Sequence, residues 1–253
     1  MNKILSNKNV NVAVSKVQAK NRFDTWVSAC YEIHFASLNL FSNKARVNAG
    51  LSARIIGTGL GIKAKFLESI GNFPTKTNGE DTELFVKCAS IGEKVRYCDT
   101  AITYDEEPID FKTSVIQRKR WTSILLDIIK VRYKDLINGL KNKKSFKYTL
   151  DVVLQFSFTL LQAALPIIIF LLILKYKDFN FINISLVSII NLQLSSLLFL
   201  LFEKRFSFNK NIIIGIFMYP FFVFSFIFLQ TFAYFFRTKD WVPIKHLGEN
   251  KIQ

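Results

Sequence analysis

The chain has 253 residues, half of them hydrophobic and 26 of them Phe, with a net charge of +15. The apolar residues crowd beyond about residue 150, so the sequence reads as an α/β part joined to a membrane part, not as one soluble globule. Residues 1–150 carry 25 Lys and Arg against 14 Asp and Glu; a basic face of this kind suits anionic lipid headgroups and phosphorylated substrates, and with no RNA- or DNA-binding module around it nucleic acid is excluded as a partner.

In chain order, residues 2–7 read as the end of a helix and residues 9–20 as a strand. The alternation Val10-Asn11-Val12-Ala13-Val14 belongs inside a sheet. A chain that opens so directly into a core strand is expected to have lost its beginning. Residues 23–41 carry apolar side chains at helical spacing, and a less regular stretch leads to Ile55-Ile56-Gly57-Thr58-Gly59-Leu60-Gly61. Its glycines allow close backbone approach to a ligand but have neither P-loop nor Rossmann spacing. Lys63 to Ile70 is a short helix stopped at Gly71, with Phe73-Pro74 turning the chain. A further helix begins after Asn78 and runs to Ile91 with Gly92 closing it. Val95 to Tyr104 alternates as a strand, and residues 110–137 form a long helix rich in Lys and Arg.

Three apolar segments follow, Val152–Leu174, Phe181–Phe202 and Ile212–Phe236, each meeting the roughly 20 residues needed to cross a bilayer. Pro166 and Pro220 fall within them, where kinks are tolerated. Lys141, Lys143, Lys144 and Lys147 place the soluble part on the cytoplasmic side. Arg237, Lys239 and Lys245 then argue that the tail is also inside, against an odd number of crossings, so one segment is re-entrant or interfacial or the tail breaks the charge rule. Cys30, Cys88 and Cys98 lack metal or disulfide spacing and read as reduced core thiols. His34 and His246 are isolated, and no metal-ligand set is expected.

Two clusters carry chemistry. Glu80-Asp81 opens a helix, where carboxylates offset the macrodipole; alternatively one of them is a general base that takes the proton from an acceptor hydroxyl. Gln117, Arg120 and Trp121 share a helical face. They suit an amphipathic helix on lipid, with Arg118, Lys119 and Arg120 at headgroups. They also suit a site where Arg120 meets the charge on a departing diphosphate, with Trp121 and Gln117 against an acceptor sugar.

In order and separation, Gly57-Thr58-Gly59, Gly71-Asn72-Phe73, Gly79-Glu80-Asp81 and Gln117-Arg118-Lys119-Arg120-Trp121 resemble the motifs of membrane-embedded processive glycosyltransferases of family 2, the cellulose, hyaluronan and poly-N-acetylglucosamine synthases. Tyr104-Asp105-Glu106-Glu107-Pro108 fits the linker between the last two. The resemblance covers residues from about 12 to 125, and the apolar segments by architecture alone. It implies a GT-A fold, with Asp81 as catalytic base supported by Glu80. Gln117, Arg120 and Trp121 become diphosphate and acceptor contacts, and Gly57, Thr58 and Gly59 the acceptor loop. Gly79 stands where the family has Thr, Asn72 where it has a second Gly, and Ile124 where a Gly is common. The family's Asp-x-Asp metal motif is nowhere in the sequence.

The fold expected is therefore α/β, the C-terminal half of a GT-A-type nucleotide-diphospho-sugar transferase domain followed by interfacial helices and a transmembrane region. Its divisions are residues 1–109 (partial catalytic domain), 110–150 (interfacial helices), 151–236 (three spans) and 237–253 (basic tail). The function expected is inverting transfer from a nucleotide sugar, a UDP-sugar by the resemblance, to a growing polysaccharide, inactive in this chain alone. The alternatives are transfer of a single sugar to a lipid acceptor and a non-catalytic membrane scaffold. Expected partners are a glycan or lipid acceptor, membrane lipids and a separate N-terminal half; Mg or Mn is expected for the complete enzyme. The location expected is the cell membrane, multi-pass, with the catalytic part cytoplasmic.

Overall fold

The computed structural model describes residues 1–73, 75–175 and 181–237. Pro74 of the expected turn, and Lys239, Lys245 and His246 of the basic tail, lie outside the described residues. The chain divides into two compact units, each assembled from separate stretches of sequence.

The first unit comprises residues 1–18, 38–104 and 124–158. Its centre is a three-stranded sheet in the order β2-β1-β3, with β1 at Val12–Ala19, β2 at Leu60–Ile62 and β3 at Arg96–Asp105. β1 is buried along nearly its whole length, as a central strand must be. It pairs antiparallel with β2 in the register Val12↔Ile62, Ala13↔Gly61 and Val14↔Leu60. β2 is the element that sequence patterning does not reveal: three residues, one of them Gly, carry no readable alternation.

Around the sheet lie α1 (Asn2–Leu5), α3 (Arg46–Asn48), α4 (Ala64–Ser69) and α5 (Glu80–Ser90). Gly92, at φ +76°, ends α5. The Glu93 N–H then bonds back to Cys88 O at 2.9 Å, which satisfies one of the carbonyls a helix end leaves open. The second half of α6 (Phe111–Lys141) and the first half of α7 (Phe146–Lys175) complete this unit. Ile128, Leu136, Val152 and Phe156 from these helices join Val12, Val14, Ile55, Leu84, Phe85 and Val86 in one core. The stretch expected to be interfacial up to residue 150 is thus cut by a turn, where Ser145 Oγ bonds Gly139 O at 2.9 Å, and α7 starts at Phe146.

The helix expected over residues 23–41 is α2, Trp26–Ser37, and it widens into a π-helical segment over Leu38–Ala45. Two buried asparagines account for the change of pitch. Asn39 bonds both backbone groups of Val17, at 3.3 and 2.8 Å, and Asn43 Oδ1 accepts the Arg54 N–H at 3.0 Å. These inward polar side chains find partners only in the neighbouring backbone.

The second unit comprises residues 19–37, 105–123 and the described residues beyond 159. Here α2 packs against α8 (Phe181–Phe202) and α9 (Lys210–Phe235). Gly215 sits mid-helix in α9 because a Cβ there would come within 2.7 Å of the Ala29 Cβ. Glu32 of α2 accepts Arg205 Nε at 2.5 Å and the Ala19 N–H at 2.7 Å, which pins the α8–α9 loop. Three described helices are long and apolar enough to cross a membrane, with mean hydropathies of 2.4, 2.0 and 2.5. Pro166 and Pro220 lie inside α7 and α9 without ending either helix.

Candidate active site

In the first unit the acidic pair and the glycine loop come together. Gly57, at φ +92°, and Gly59, at φ +68°, need a left-handed backbone that glycine adopts without strain. A Cβ at Gly57 would lie 3.5 Å from Asp81 Oδ2, so the loop passes one side-chain atom's reach from that carboxylate. A Cβ at Gly59 would collide with Ser15 Oγ, whose hydroxyl is 2.6 Å from that of Thr103. Thr58 stands between these two close approaches.

Asp81 does not cap α5; the N-cap is Gly79, and no side chain bonds there. Burial raises the Asp81 pKa above the ordinary aspartate value, and the neighbouring Glu80 charge adds to this. The Thr82 N–H, 2.6 Å from Oδ1, and the Arg54 guanidinium act in the opposite sense. Glu80 itself is exposed. The start of α5 is held instead by Glu83, which is buried. Its Oε1 accepts the Lys76 N–H at 2.9 Å, the Thr77 N–H at 2.7 Å and the Thr77 hydroxyl at 2.6 Å, and its Oε2 pairs with Arg132 at 2.6 Å. Burial works against that charge, but these hydrogen bonds outweigh it and hold the carboxyl below its ordinary pKa.

In the second unit the first half of α6 presents its motif residues against α2 and α9. Gln117 is half-buried and its Oε1 accepts the Tyr31 hydroxyl at 2.7 Å. Trp121 meets the Tyr31 ring edge-on, with centroids 6.3 Å apart, and Phe226 at 6.4 Å. Arg120 Nε is buried with no hydrogen-bond partner among the described residues. Arg118 corrects the headgroup expectation, because it is fully buried. Ser114, Arg118 and Thr122 recur every four residues along a buried face of α6. Arg118 Nη1 donates to Phe222 O and Ser225 Oγ, both at 2.9 Å, and the guanidinium sits 4.1 Å from the centre of the Phe222 ring. This arginine ties helices together and is not available to lipid.

Each unit thus holds part of the motif set: a half-buried carboxylate near the glycine loop in the first, and a guanidine N–H without a partner among the described residues in the second. The model of glycosyl transferase family group 2 matches residues 7–236. The chain belongs to that family. Over 118 residues it is 26% identical to the probable glycosyltransferase YdaM of Bacillus subtilis (strain 168). That stretch is 47% of this chain and 28% of the relative, so less than a third of the relative's length is spanned. Membership in glycosyl transferase family group 2 implies a GT-A fold.

A divalent metal is expected for the complete enzyme, and the Asp-x-Asp that would hold it is not in this sequence. Among the described residues no three His, Cys, Asp or Glu side chains gather in a set that could hold an ion. The chemistry below therefore rests on the chain's own side chains. Of these, Arg54 and Tyr31 carry no signal in the sequence pattern. Both lie outside any motif, one on the approach to the glycine loop and one in the middle of an apolar helix.

Proposed function

We propose that this chain forms the acceptor side of an inverting, membrane-embedded glycosyltransferase of the cellulose, hyaluronan and poly-N-acetylglucosamine synthase type, extending a polysaccharide from a UDP-sugar at the cytoplasmic face. The observation that carries the reading is Asp81, a carboxylate lifted in basicity by burial and set beside the glycine loop, where a Cβ at Gly57 would meet it. In this reading Asp81 takes the proton from the acceptor hydroxyl as its oxygen attacks the sugar's anomeric carbon. The bond between that carbon and the diphosphate oxygen breaks on the opposite face, which inverts the centre. Arg120, with its unpartnered Nε, takes up charge on the departing diphosphate. Trp121 offers an aromatic face to the acceptor sugar, and Gln117 a hydrogen bond. Gly57, Thr58 and Gly59 bring backbone close to the acceptor, and Glu80 sustains the basicity of Asp81. A second polypeptide or segment supplies the clamp for the donor diphosphate, so the purified chain alone is expected not to release UDP.

The test uses membranes from cells expressing the full chain at its own locus. Incorporation of radiolabelled sugar from UDP-glucose and UDP-N-acetylglucosamine is compared between the wild type and Asp81→Asn. Loss of a general base is expected to cut incorporation by roughly 10²- to 10⁴-fold. Incorporation equal to wild type would mean a scaffold and would sink the proposal.

A further inference from the structure

The second unit contains a hydrogen-bonded chain that the reaction scheme above does not use. Tyr31, in the middle of α2, is fully buried, yet its hydroxyl is 2.7 Å from Gln117 Oε1 and 3.1 Å from Ser114 Oγ. Burial pushes the phenol's pKa up, so it stays protonated and acts as donor across the working pH range. With that proton committed to Gln117, Ser114 donates to the Tyr31 oxygen in turn, and each bond polarises the next. The same ring meets Trp121 at 90° and Phe222 at 74°, with centroids 6.3 and 5.2 Å apart. One buried side chain therefore touches two of the three motif residues on α6. It fixes the amide of Gln117 so that its oxygen is engaged and its NH₂ is left to donate elsewhere.

We propose that Tyr31 is a positioning residue for the acceptor sugar: its hydroxyl sets the flip of the Gln117 amide, so that the NH₂ group donates to a hydroxyl of the sugar resting on Trp121. This rests on the acceptor role assigned to Gln117 and Trp121 above. An amide without the Tyr31 bond is free to turn, and turned over it would offer the sugar an acceptor where a donor is needed.

Tyr31→Phe removes one oxygen and keeps the ring packing. In membranes carrying the full chain, sugar incorporation is followed against cellotetraose and chitotetraose as acceptors and separately against UDP-sugar. Tyr31→Phe is expected to raise half-saturation for the acceptor roughly tenfold, the loss of one hydrogen bond, with the donor dependence unmoved. Gln117→Ala should do at least as much, and the double variant no more than Gln117→Ala alone, because the tyrosine acts through the glutamine. Where Tyr31→Phe fails to accumulate, Gln117→Glu decides: its carboxylate still accepts from Tyr31 but has no NH₂, so it should match Gln117→Ala. A Tyr31→Phe effect that adds to Gln117→Ala, a shift in donor dependence, or a wild-type Gln117→Glu would overturn the proposal. If Gln117→Ala itself is silent while Asp81→Asn is dead, the acceptor role of Gln117 fails and the tyrosine's role with it, but base catalysis stands.

Discussion

A carboxylate that must remove a proton needs burial to raise its affinity for that proton, yet must stay charged before the reaction. In the role proposed for Asp81, its surroundings act on both demands. Burial and Glu80 raise its pKa; the Thr82 N–H and the Arg54 guanidinium restrain the rise. The working form is the carboxylate, so activity falls as pH drops through the raised pKa, and the acid limb lies above the ordinary aspartate value of 3.8. Arg54→Gln removes the restraining charge and keeps a polar side chain. It should move the acid limb of kcat/KM to higher pH while leaving the plateau above the limb close to wild type. A pH–rate profile of sugar incorporation reads this directly. A limb that stays in place would mean Arg54 does not act on Asp81. Glu107 shows the opposite solution: burial and the nearby Asp105 push its carboxyl up to about 8, and it is neutral at pH 7.

Between elements, the contact of α5 with the second half of α6 explains two departures from the family pattern at once. Gly79 is buried, and a Cβ there would overlap Ile124 and press on Ile128. Where the synthase motifs of the resemblance would put Thr and then Gly, this chain has Gly and then Ile, and the two positions face each other. Gly79→Thr should cost about 1–3 kcal/mol by overpacking, and Ile124→Gly about 2–5 kcal/mol by cavity and helix propensity. The double variant should recover at least about 1 kcal/mol of their sum. Thermal melts of the four proteins check the coupling, and strict additivity would show that the two exchanges are unrelated. Each departure was legible in the sequence, but their pairing was not, because 45 positions along the chain say nothing of contact. The same limit applies elsewhere. α4, α5, β3 and α6 were legible from periodicity and glycine stops. β2 was too short, the π-helical turn depends on where Asn39 and Asn43 find partners, and Tyr31 looks like any core aromatic until Gln117 is beside it. Asp81 and the glycine loop are legible from motif order, and the structure adds that a side chain at Gly57 would meet Asp81.

For the whole molecule the question is how the basic surface and the apolar helices share the work of membrane attachment. The charge of +15 draws the chain to anionic lipid, but that attraction acts over a Debye length and shrinks to about 3 Å in 1 M salt. The helices work differently. Leu154, Phe158, Phe170 and Leu174 on α7, Val187 and Leu194 on α8, and Phe217 and Phe228 on α9 all stand exposed, far more contiguous apolar surface than a soluble monomer carries. Helices of this length and apolarity are able to cross a bilayer, and burying such side chains in hydrocarbon is insensitive to salt. High salt and alkaline carbonate should therefore leave the full chain in the membrane pellet, and detergent alone should release it. Release by carbonate would show that the helices lie on the surface. The distinction reaches the chemistry: a polymer made at the cytoplasmic face needs helices that traverse the bilayer, whereas a transferase resting on lipid could only modify a headgroup.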